Sequence, residues 1–179
     1  MILCVLVLLL AAGCKREPQD ELSGQWVSST VLEKWGAQIV GDTLNFERSG
    51  ASGGSFTEVM VLNMQADDER FVFSVDSICM CFKGSWQLRG DSLMRQYLGS
   101  EVNINERNVN FSMKNLADAH QDPRQFENTK MMLTLLLKQN LQKGVGNYGE
   151  RMTDRLSFAG DDSIRIKGEK LTLGYSRTH

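Results

Sequence analysis

The strongest constraint in this chain is alternation. From Trp26 onward, apolar and polar residues exchange places every second position, the period of a strand with one face buried. Clear runs are Trp26–Leu32, Thr43–Phe46, Phe56–Met64, Arg70–Val75, Ile78–Phe82, Trp86–Arg89, Ser92–Tyr97, Val102–Ile104 and Val109–Met113, then Arg155–Phe158, Ser163–Lys167 and Lys170–Tyr175. Gly41-Asp42, Gly50–Gly54, Ala66–Glu69 and Gly160–Asp162 separate some of them and read as turns. Connections this short join antiparallel neighbours, because a parallel return needs a dozen residues or more. A repeated phrase supports hairpins: Trp86–Leu93 ending at Tyr97 matches Ile164–Leu171 ending at Tyr175, each turning on a Gly-acid pair expected to supply positive φ. Gly41-Asp42-Thr43-Leu44 begins a third copy.

One segment leaves the pattern. Asn115–Lys143 has long side chains and no β-branched run. Asp122-Pro123 is a helix start, Phe126, Thr129, Leu133, Leu136, Leu137 and Leu141 follow helical spacing, and Gly144 and Gly146 end it. Met131–Leu137 is apolar on more than one face, which predicts deep burial, a lid or a dimer contact. Asn115–His120 is expected as a short helix before it. The fold class is therefore mainly β: an antiparallel meander with a helical insertion, about residues 115–143, before the last three strands. A meander of about ten strands hides its edges best by closing into a barrel.

The first residues carry an address. Ile2–Ala12 is apolar but too short to span a bilayer, and Ala11-Ala12-Gly13 offers the small side chains a signal peptidase requires. Cys14 follows at once. This resembles the lipobox of bacterial lipoproteins, which implies diacylglycerol on the Cys14 thiol, cleavage before it, and two or three acyl chains anchoring the protein stably. An ordinary secretory signal with an incidental cysteine is the competing reading. Lys15, where an Asp retains lipoproteins at the inner membrane, implies the outer membrane by the same resemblance. Residues 1–13 are thus the expected signal peptide, 14–21 a polar tether and 22–179 the folded domain. Leu22-Ser23-Gly24-Gln25-Trp26 and the Gly-Asp-x-Leu phrases at Gly41 and Gly90 resemble small lipoproteins with a lipocalin-like barrel, in which the first tryptophan plugs the closed end.

Chemistry is sparse. With 20 Lys+Arg against 22 Asp+Glu there is no basic face for nucleic acid. The two histidines, His120 and His179, lie in polar surroundings and at the last position, so no Ser/His/Asp set and no metal spacing can be assembled. Gly50–Gly54 lacks the lysine and helix of a phosphate loop. Cys79 and Cys81 share one strand face opposite Ile78, Met80 and Phe82; soft-metal or redox chemistry is conceivable there, but packing is the simpler account. Asp67-Asp68 and Asp161-Asp162 sit at turns, and Trp35, Phe56, Phe71, Phe73 and Phe111 are core or cavity lining. The sequence thus leads to a non-enzymatic envelope lipoprotein without cofactor or metal. Its barrel either binds a small hydrophobic ligand or, filled by its own side chains, serves a structural role or docks an envelope protein.

Overall fold

The computed structural model describes residues 17–28, 30–34, 37–114, 123–145 and 151–178. The leader with Cys14, together with Trp35, residues 115–122, Gly146 and His179, lies outside the described residues, so the expectations placed on them have no structural counterpart here.

A short helix, α1 (Pro18–Leu22), leads into β1 (Gly24–Ser28), β2 (Leu32–Lys34), β3 (Ala37–Arg48), β4 (Gly53–Asp67), β5 (Phe71–Arg89) and β6 (Ser92–Asn103). A 3-10 turn precedes β7 (Val109–Met113); then come α2 (Pro123–Val145), β8 (Arg151–Phe158), β9 (Ser163–Lys167) and β10 (Thr172–Arg177). Every pairing is antiparallel, and β1 bonds to both β3 and β10. The order β1-β3-β4-β5-β6-β8-β9-β10 therefore returns to β1 as a closed eight-stranded barrel, with the helix before the last three strands as expected.

Several expected strands fuse. Arg70–Val75, Ile78–Phe82 and Trp86–Arg89 form one 19-residue strand, β5. The first break is a bulge: Asp76 and Ser77 stand opposite Asn63, whose Oδ1 accepts the Ser77 N–H at 2.9 Å. Ser77 has φ 57°, the only non-Gly residue with positive φ among the described residues. The second break, at Lys83-Gly84, is another register shift, with Leu98 unmatched on β6. Gly41-Asp42 is likewise no turn. It lies inside β3 beside a register shift after Ile39, which turns Asp42 inward with Leu44 and Phe46. Of the two repeated Gly-acid turns, Gly90 has φ 62°, but Gly168 lacks positive φ because a wider loop, closed by Gly168 N–H to Leu171 C=O, replaces the tight turn.

The interior has two apolar halves. At the β1 end, Trp26, Leu44, Phe46, Phe56, Trp86, Leu88, Leu93, Leu156, Ile164 and Ile166 are buried against one another. Trp26 has no exposure; its indole donates to the Leu22 carbonyl at 2.7 Å and lies under the Arg177 guanidinium. Arg48 ties Glu17 and Asp20 down, so the fold begins inside the stretch expected as a tether. At the other end β4, β5 and β7 extend past the ring. Their inner face, with Val102 of β6, gathers Leu62, Phe73, Val75, Ile78, Met80, Phe82 and Val109, and α2 covers it with Leu133, Leu137 and Leu141. Phe126 stacks on Phe111 at 5.0 Å. Beyond Gln96, β6 has no strand on its β8 side. Gln142 of α2 fills that edge, donating to Ser100 C=O at 3.0 Å and accepting from Val102 N–H at 3.1 Å.

Of the outcomes expected for Met131–Leu137 (deep burial, a lid or a dimer contact), deep burial does not occur. The apolar contact of α2 with the sheet is the 126-133-137-141 stripe, and Met131, Met132, Leu135 and Leu136 are 64, 54, 55 and 47% exposed.

Candidate functional site

Between the two apolar halves lies a layer of charge. Strand alternation places it: Asp42 on β3, Glu58 on β4, Arg95 and Tyr97 on β6, Asp154 on β8 and Tyr175 on β10 each occupy a position that the period-2 pattern turns inward. Arg95 bridges the layer. Its Nη2 donates to Asp154 Oδ2 at 2.8 Å and its Nη1 to Glu58 Oε2 at 3.4 Å. Tyr97 Oη donates to the same Glu58 oxygen at 2.7 Å, and Tyr175 Oη donates to Asp42 Oδ2 at 2.6 Å. Asp42, Glu58, Arg95 and Asp154 are each under a tenth exposed.

Three carboxyl groups share one guanidinium, and burial decides which gives way. Desolvation first, then the neighbouring Glu58 charge, push the Asp42 carboxyl up to about 7; the hydrogen bond from Tyr175 and the charge of Arg95 pull the other way. Burial works against the Arg95 charge, but Glu58, Tyr97 and Asp154 outweigh it and hold the guanidinium more firmly protonated than usual. Burial, then the adjacent carboxylates, raise both phenols, Tyr97 beside Glu58 and Tyr175 beside Asp42. Asp42 Oδ1 and Arg95 Nε are buried without a hydrogen-bond partner. Chemically the layer holds and releases a proton at Asp42. Its hydroxyls are donors to carboxylates and far from ionisation, so they are poor nucleophiles.

Outside the ring, an open cleft of about 430 Å³ runs beside the β3–β4 hairpin, lined by Gly50–Gly54, Trp86, Gln87, Arg89, Gln96 and Arg151 among others. A second, of about 390 Å³, lies between the β5–β6 turn, β8 and the β9–β10 loop, beside Asp154 and Lys167. Both are open surface recesses.

The residues singled out in the sequence scatter. Phe56 and Phe73 are core, and Phe71 and Phe111 pair at 5.7 Å beneath α2. Asp67 bonds Lys114, and Asp68 accepts the Arg70 N–H at 3.2 Å, as turn aspartates do. Gly50–Gly54 forms the tip and first strand residues of a hairpin; a Cβ at Gly54 would meet the Glu47 carbonyl at 1.8 Å, so close backbone packing explains that glycine. Cys79 and Cys81 share the outer face of β5, half-buried, with sulfurs 3.7 Å apart. Among the described residues no group of three or more His, Cys, Asp or Glu is arranged to hold a metal.

Sequence reasoning missed the ionic layer. Its signal was present: Glu58 falls in register with Phe56, Met60 and Leu62, and Arg95 in register with Leu93, where alternation demands an apolar residue. Asp42 was hidden because Gly41-Asp42 imitates a turn. No family model matches the chain, and no curated protein is detectably similar to it in sequence.

Proposed function

We propose that this chain is a membrane-tethered bacterial envelope lipoprotein, anchored through Cys14 at the outer membrane, whose barrel is a non-catalytic interaction module. The observation that carries the interaction reading is where apolar surface has been spent. Inside the ring, Trp26, Phe46, Phe56, Trp86 and their neighbours are 4% exposed or less and fill the space a hydrophobic ligand would need. Outside, Val31, Val40, Leu98, Met152 and Leu171 are exposed at separate places on the strands and loops, whereas Met131, Met132, Leu135 and Leu136 form a continuous stripe on α2, turned away from the sheet. An exposed apolar stripe rich in methionine suits contact with a protein surface, since the thioether side chain adapts its shape. The anchor reading rests on the Ala11-Ala12-Gly13-Cys14 motif; no helix among the described residues is long and apolar enough to cross a membrane.

Native mass spectrometry of the detergent-extracted protein separates this reading from ligand binding. A stable complex with another envelope protein, lost in a Met131→Ser, Leu135→Ser double variant whose melting temperature matches the parent, is the expected result. A co-purifying small hydrophobic molecule, with no protein partner, would overturn it in favour of ligand binding.

A further inference from the structure

The outer face of β5 holds a feature that neither anchoring nor docking uses. Cys79 and Cys81 project to the same side, between Val61 and Val59 of β4 and Asn103 and Glu101 of β6 in register. Their sulfurs lean together to 3.7 Å, a thiol–thiol contact. A disulfide needs about 2.05 Å and a Cα separation that residues two apart on a strand barely meet. A trigonal ion holding two thiolates at a metal–sulfur distance of about 2.3 Å has its sulfurs about 4.0 Å apart, a few tenths of an ångström beyond what this strand presents. The two thiols are too far apart for a disulfide but touch each other, and a slight opening lets them share a soft cation with one external donor.

The ligand count narrows the ion. Structural zinc sites take four protein ligands and catalytic ones three, and among the described residues no third His, Cys, Asp or Glu completes a cluster here. Soft thiolates with few ligands suit copper(I), a thiophilic ion content with low coordination. We propose that Cys79 and Cys81 form a two-thiolate copper(I) site on the barrel wall, half-open so that an external sulfur or nitrogen donor can complete or compete for the coordination. On binding, two S–H bonds break and two S–Cu bonds form, two protons pass to solvent, and copper stays monovalent. Burial first, then the neighbouring Cys81 and the Glu101 charge, push the Cys79 thiol up from its ordinary value. Lys83, two residues on at the same face, lies near the anionic complex that results.

The test is an anaerobic titration of the reduced, detergent-extracted protein with copper(I) against bicinchoninate as competing chelator. The expected result is one equivalent taken up per chain, lost in Cys79→Ser and in Cys81→Ser, with circular dichroism unchanged in both. Uptake at the parent's level in those variants would place copper elsewhere on the protein and overturn the site. No uptake by the parent, or sulfurs that alkylating reagent cannot reach until a disulfide is reduced and that still take no copper afterwards, would overturn it equally. Retention of zinc instead of copper would overturn the ion assignment.

Discussion

Asp42 makes the barrel's stability depend on pH in a defined direction. Its carboxyl has the ordinary value of 3.8 in the unfolded chain and is raised to about 7 in the barrel. Below about pH 4 both states carry the proton and there is no penalty. As pH rises from there to 7, the unfolded chain releases it first, and stability falls by on the order of 4 kcal/mol for this one group. Asp42→Asn keeps the neutral shape without the titration. Urea midpoints of that variant should decline less than the parent's between pH 5 and pH 8; parallel profiles would show that Asp42 is ionised in the fold. Arg95 has the opposite role. Arg95→Met leaves Glu58 and Asp154 buried without their cation, and a loss of about 3–5 kcal/mol is expected by chemical denaturation at pH 7. Gly84 faces the ring of Phe56 across the β4–β5 pair, where an added Cβ would stand 2.5 Å from Phe56 Cε1 and 2.2 Å from the Gln96 carbonyl. Gly84→Ala should therefore cost more than the 1–3 kcal/mol typical of overpacking, read as a lower urea midpoint.

At the scale of elements, α2 is an amphipathic cover with its second face bare. Leu133, Leu137 and Leu141 bury against the overhang of β4, β5 and β7, while Gln142 satisfies the open edge of β6. Leu133→Ala with Leu137→Ala should lower the melting temperature and speed amide exchange in β6 from Ser100 to Val102, whereas Met131→Ser with Leu135→Ser should do neither. Equal destabilisation by both pairs would mean that the Met131 face is buried against something in the folded protein. The helix was legible because its 3–4 spacing is long and unbroken; its depth was not, because spacing does not say which of two apolar stripes the sheet will cover. The strands show the same division. Alternation identified nearly all of them, yet β5 reads as three because Asp76-Ser77 and Lys83-Gly84 interrupt the period, and a bulge and a turn break periodicity alike in one dimension. The candidate site was least legible. Glu58 and Arg95 stood in inward slots, but their partners Asp154 and Tyr97 are recognisable only once β8 pairs with β6 and β4 comes alongside.

The whole molecule is a tube with unlike ends. One is sealed by Trp26 under Arg177, near α1; the other is roofed by α2. If the leader is processed as its motif implies, Cys14→Ser should shift the protein from the membrane pellet to the soluble fraction, and a variant that stays in the pellet would refute the anchor.

The clamp of Arg48 on Glu17 and Asp20 has a consequence for such a moored protein. Only Lys15 and Arg16 separate Glu17 from Cys14, a leash of about 10 Å at full stretch. If Cys14 is lipidated as proposed, a body held that short would not roam or tumble freely above its bilayer. It would stand with the tryptophan-sealed pole toward the lipid and lift the methionine-bearing roof to the far side, where a partner arriving from the aqueous space would meet it first.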